Sequence, residues 1–131
     1  PAPITFVFRG FLSNINKVTL SGDAWNLEIV YRKITETDIE KVLPIYMDYY
    51  NGRESGVWTD RTVYKRIHQV WSREDSYCMI FVCNKAIIGF AMGYFEQYDD
   101  LVAYDLVEIV IAGEYQNKGI LSIQTRLSIG I

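Results

Sequence analysis

The chain has 131 residues, half of them hydrophobic, with three Trp, ten Tyr, six Phe and a formal net charge of −3. That length fits one domain with a proper core, and so apolar and aromatic a composition excludes a disordered chain. Basic residues are scattered in runs no longer than two, which excludes an electrostatic footprint for nucleic acid.

No apolar run is long enough to span a bilayer, so no membrane partner is expected. Pro1 to Phe11 lacks a charged leader and a small-residue cleavage site, so it does not read as a signal peptide. Cys78 and Cys83 stand five apart in a predicted strand, on opposite faces, where they cannot pair with each other. Two free thiols suit a reducing, cytoplasmic setting. One His and two Cys leave no zinc site to predict.

In chain order, Ile4 to Phe11 begins with strand-like alternation. Lys17 to Leu20 is a second short strand beyond the turn-like Ser13-Asn14-Ile15-Asn16, and the two together predict a small hairpin. Residues 1–24 thus read as an N-terminal extension, either that hairpin or a non-native leader. Trp25 to Ile34 alternates again. Thr37 with Glu40 three residues on predicts a capping box that opens a helix. Ile39, Val42, Leu43, Tyr46 and Tyr50 continue it at helical spacing, Pro44 is expected to kink or split it, and Asn51-Gly52 to end it. A polar loop, Arg53 to Thr59, carries Trp58. A second helix runs from about Asp60 to Trp71, with Val63, Ile67, Val70 and Trp71 on one face. Three strands follow, Tyr77 to Cys83, Ala86 to Gln97 and Leu101 to Ile111. Their short connections predict an antiparallel meander. Gly119 to Ile131 reads as the start of a helix.

The run from Ile109 to Ile120 takes an apolar strand into the polar turn Gln116-Asn117-Lys118-Gly119. Amides freed at a strand-to-helix junction can hold a phosphate, and glycine lets the backbone come close. An ordinary exposed turn after a strand is the competing reading. Glu108, amid Leu106, Val107, Ile109 and Val110, has two readings: a base activated by apolar surroundings, or a solvent-facing strand residue. Asp105 takes the opposite face if the strand is regular, and a bulge would exchange the two. His68, to one side of its helix's apolar stripe, reads as solvent-facing.

The order strand, two helices, three antiparallel strands, phosphate-type turn and helix resembles the GNAT superfamily of acetyl-CoA-dependent N-acetyltransferases. Their signature is Gln or Arg, two variable residues, Gly, one variable residue, then Gly or Ala. Here Gln116 and Gly119 match, and Leu121 departs from the last small position. The likeness runs from Trp25 to about Ser122. It implies an α+β, GNAT-like mixed sheet in the order β-α-α-β-β-β-α, with residues 25–131 a partial acetyltransferase domain whose C-terminal strands are missing or replaced. It further implies acetyl-CoA as cosubstrate and a small-molecule primary amine as acceptor. Pyrophosphate would lie on Gln116, Asn117, Lys118, Gly119, Ile120, Leu121 and Ser122, with Lys118 adding charge, and the pantetheine arm on the amides of Ile109, Val110 and Ile111. Glu108 would be the general base, and Tyr49, Tyr50 and Trp58 would border the acceptor, although core packing accounts for Tyr50 too.

After Gly119 the sequence offers one helix's worth of residues, and the predicted edge Val107 to Ile111 invites another strand. Three accounts are open: a shortened acetyltransferase, a homodimer that completes the fold, or replacement strands from Pro1 to Ala24. A non-catalytic module of the same fold, with a weakened CoA site, is the alternative function. A small α+β ligand-binding domain with a coincidental turn is a third.

Overall fold

The computed structural model describes residues 4–8, 17–22 and 25–115. Six strands form one sheet: β1 (Ile4–Phe8), β2 (Lys17–Gly22), β3 (Trp25–Lys33), β4 (Met79–Cys83), β5 (Ala86–Gln97) and β6 (Val102–Ile111). Their order across the sheet is β1-β6-β5-β4-β3-β2, antiparallel at every step. The helices α1 (Ile39–Arg53) and α2 (Asp60–Trp71) lie between β3 and β4 in the chain and pack on one face.

The predicted meander is present as β4, β5 and β6. Asn84 and Lys85 turn β4 into β5 with positive φ at both residues, the geometry that matches strand twist in a two-residue hairpin. The predicted N-terminal hairpin is not formed. β1 pairs with β6, from Ile4 opposite Leu106 to Phe8 opposite Val102, while β2 pairs with β3 at the other edge. Sequence adjacency made the hairpin reading attractive, but the neighbouring strand edges were already on offer on either side of the meander.

Helix α1 starts differently from the reading above. The capping pair is Thr35 with Asp38, not Thr37 with Glu40: Thr35 N and Oγ1 donate to Asp38 Oδ2 at 2.8 and 2.9 Å, while the Asp38 amide closes a backbone turn on the Thr35 carbonyl at 3.0 Å. Arg32 decides between these overlapping candidates. Its guanidinium clamps the Asp38 carboxylate at 2.7 and 3.0 Å and joins the end of β3 to the entry of α1. Pro44 neither splits nor ends the helix, which runs on through Asn51-Gly52 to Arg53. Pro44 lies on its exposed side, where water can serve the carbonyl it leaves without a partner.

The sheet has apolar side chains on both faces. Toward the helices, Ile80, Phe90 and Met92 pack with Ile39, Val42, Tyr46, Val63 and Ile67. On the opposite face Ile29, Tyr31, Phe81, Ile88, Tyr104 and Leu106 form a second cluster. Cys78 belongs to the first cluster and Cys83 to the second; both are free thiols.

Candidate active site

One irregularity in the β5–β6 ladder sets the site. Met92 pairs with Glu108 and Gly93 with Leu106, so Val107 is an extra residue on β6. In a regular strand Glu108 would share a face with Tyr104 and Leu106, away from the helices. The bulge reverses the alternation and brings both Val107 and Glu108 to the helix side. Asp105, whose neighbours Tyr104 and Leu106 point the other way, then falls on the same side as Glu108. Gly93 is required beside the bulge, because a Cβ there would lie 2.7 Å from the Tyr104 ring.

Helix α1 supplies two tyrosines one turn apart, on the face that packs on the sheet. Tyr50 donates its hydroxyl to Glu108 Oε1 at 2.7 Å, and Tyr46 donates to the same oxygen at 3.2 Å. From α2, Arg66 brings its Nε to 3.5 Å from the other oxygen, Oε2. That is close enough for charge attraction but too long for a good hydrogen bond, and Oε2, fully buried, has no hydrogen-bond partner among the described residues. The Glu108 side chain is 9% exposed. Burial first, then the hydrogen bond and charge of Glu108, push the Tyr50 hydroxyl far above the usual tyrosine range. Tyr46 moves the same way through burial and the Glu108 charge, with the nearby Arg66 guanidinium pulling against it. Both hydroxyls therefore stay protonated and able to donate to the carboxylate.

Trp58 reaches the group through Tyr46, its ring edge-on at 5.2 Å between centroids. Asn51 holds it there: its Nδ2 donates to Trp58 O at 2.8 Å, and Trp58 N donates to Asn51 Oδ1 at 2.9 Å. Gly56 N also donates to Tyr50 O, which folds the loop back onto α1. Tyr49 packs edge-on against Tyr50 at 4.9 Å and carries the Arg53 guanidinium over its other side at 5.7 Å. Arg53 lies against Gly113 too, where the chain leaves β6 toward the turn.

The structure thus joins Glu108, Tyr50 and Trp58 in one cluster with Tyr49 at its margin. Val110 is buried on the helix side, Ile111 on the opposite face and Ile109 half-buried beside it. Gln116, Asn117, Lys118, Gly119, Ile120, Leu121 and Ser122 lie outside the described residues. Sequence reading missed Arg66 and placed Tyr46 only in the core. Arg66 does sit three residues after Val63 and beside Ile67, at the border of the α2 stripe, which is the signal that could have found it. His68 is half-buried, not simply solvent-facing. Its Nε2 lies 3.1 Å from Glu36 Oε2, and its ring packs against Tyr64 and Trp71. No helix among the described residues is long and apolar enough to cross a membrane, and no described group of three His, Cys, Asp or Glu could hold a metal.

Among solved structures this chain is similar to a GNAT family acetyltransferase from Staphylococcus aureus, with 21% identity over 76% of this chain and 77% of that one, at a TM-score of 0.59. It is also similar to the aminoglycoside antibiotic 6'-N-acetyltransferase AAC(6')-Ih from Acinetobacter baumannii, with 13% identity, 75% and 67% coverage and a TM-score of 0.56. A predicted acetyltransferase with acetyl-CoA from Clostridium acetobutylicum matches at 16% identity, 76% and 70% coverage and a TM-score of 0.52. No family model matches the chain, and no curated protein does. The fold is that of the GNAT acetyltransferases, an α+β sheet with two helices between its first family strand and its meander.

Proposed function

We propose that this chain is an acetyl-CoA-dependent N-acetyltransferase domain acting on a small primary amine, with Glu108 as general base. The observation that carries the reading is a buried carboxylate at the bulge of the strand that precedes Gln116–Gly119 in the sequence, one oxygen held by two donors and the other left without a hydrogen bond among the described residues. Similarity to an aminoglycoside N-acetyltransferase and to an acetyltransferase with acetyl-CoA supports it.

Acetyl-CoA would supply the thioester acetyl group. The residues present fit an extended arm: on the side where β1 pairs with Val102–Leu106, no described strand continues along Val107–Val110. The amides of Ile109, Val110 and Ile111 and the turn residues Gln116 to Ser122 are the proposed contacts. Glu108 would take the proton of the acceptor amine as nitrogen bonds to the carbonyl carbon and the carbon–sulfur bond breaks, with CoA leaving as its thiolate. Trp58 and Tyr49 flank the acceptor. Two buried free thiols suit a reducing, cytoplasmic setting.

Calorimetric titration with acetyl-CoA tests the first half: micromolar binding abolished by Gly119→Glu is expected, and absence of heat would refute it. Thiol release with a panel of amines tests the second. Glu108→Gln should lower kcat by about 10²–10⁴-fold. Unchanged turnover would remove Glu108 from the role. Leu121, where the family carries Gly or Ala, favours a non-catalytic module instead; binding without turnover for any amine would select that reading.

A further inference from the structure

We infer that Tyr46, Tyr50 and Arg66 are positioning residues that divide the labour of the Glu108 carboxylate, fixing Oε1 and leaving Oε2 as the working oxygen. The inference rests on the proposed acetyltransferase reading and reassigns Tyr50 from acceptor contact to holder of the base.

The geometry is asymmetric. Oε1 accepts two hydroxyl hydrogens from successive turns of α1, at 2.7 and 3.2 Å. Those bonds fix the rotation of the carboxylate and occupy the lone pairs of one oxygen. Oε2 accepts none, although it is buried, and a buried acceptor without a donor is costly unless a ligand supplies one. An amine N–H, or a water carrying its proton, is the donor that Oε2 lacks. Arg66 stands 3.5 Å away, near enough to attract the carboxylate and not bonded tightly enough to fill the place. The groups facing Glu108 come from three elements. Helix α1 brings Tyr46 and Tyr50, with the Glu54 charge felt at Tyr50; α2 brings Arg66; β5 places the apolar Met92 opposite. Trp58, packed on Tyr46 and tied by Asn51, backs the pair of tyrosines.

A contact with the acceptor and a hold on the base differ in kinetics. If Tyr50 touches the amine, Tyr50→Phe raises KM at constant kcat; if it aligns the base, kcat falls and KM stays. The expected result for Tyr50→Phe and Tyr46→Phe is a kcat loss of tenfold or more with the amine KM within twofold. Arg66→Met should lose kcat similarly and Arg66→Lys recover most of it. A raised KM with unchanged kcat in Tyr50→Phe would overturn the inference. A second readout needs no turnover. In protein labelled with ¹³C-glutamate, the infrared carboxylate band removed by Glu108→Gln should shift in Tyr50→Phe. A shifted band in a protein that acetylates no amine would uphold the held carboxylate and refute the acetyl-transfer reading. A band at the wild-type position would overturn the inference whatever the activity.

Discussion

Asp38→Asn should cost about 2 kcal/mol, although Asp38 lies outside the site. The carboxylate is 2% exposed and accepts two bonds from Arg32, at 2.7 and 3.0 Å, and two from Thr35, at 2.8 and 2.9 Å. Asparagine keeps one oxygen, which Thr35 N can still reach, but turns an amide donor toward a guanidinium that has only donors. The bond from Arg32 Nη2 is then lost, at about 1.5–3 kcal/mol, and the bond from Nη1 to the oxygen that remains falls to neutral strength, about 1 kcal/mol weaker. The Arg32 side chain is 46% exposed, so water compensates a large part, and about half of that sum is the expected net. In a chain of this size the melting temperature should fall by about 8 °C. The pH dependence is the sharper check. Arg32 first, then Thr35, hold the Asp38 carboxyl well below the usual range against its burial. A depressed folded value gives stability that is complete above the ordinary carboxyl pKa of about 4 and is lost as pH falls below it. Urea unfolding of both proteins at pH 7, 5 and 3 should show the full gap at the first two and a smaller one at pH 3. A gap independent of pH, or one under about 0.5 kcal/mol at pH 7, would refute the reasoning.

At the alkaline end, burial pushes the Cys78 thiol up to about 11, so its stabilisation is complete below the ordinary thiol value near 9 and is lost as pH rises through 11, with Tyr46 and Tyr50 adding to the loss above about 10. Denaturant titrations between pH 8 and 11 should show stability falling, and native Cys78 should react with a thiol reagent only on unfolding. Gly93→Ala forces a methyl against the Asp105 carbonyl oxygen and the Tyr104 ring beside the bulge and should cost about 1–3 kcal/mol, measured by the same titration. It should also weaken catalysis through Glu108, whereas Gly52→Ala, which meets nothing within 4 Å, should leave turnover unchanged.

What was legible in the sequence was periodic. Val63, Ile67 and Val70 announce α2, and the short turns announce the meander, because each signal is local. The start of α1 was misread because two Thr-to-acid spacings overlap, and Arg32 on another element chooses between them. The bulge was not legible. Val107 looks like any apolar strand residue, and only pairing against Met92 and Gly93 shows it to be surplus. Glu108 could therefore be singled out while its face stayed open. Tyr46 and Tyr50 carry a helical period that core packing explains equally well; their shared acceptor lies on another element, beyond any window of sequence.

The pairing of β1 with β6 has a consequence for synthesis. Of the six described strands β1 comes earliest in the chain and its partner comes last, so no ladder exists for β1 until the meander is complete. Contacts of such sequence separation form late, and a waiting apolar strand is open to foreign edges. A chain lacking residues 1–8 should keep hydrogen-exchange protection in β4 and β5 while losing it along Val102–Leu106. Loss throughout the sheet would instead make β1 part of the folding nucleus. The earliest of the six strands should be the last to find its place.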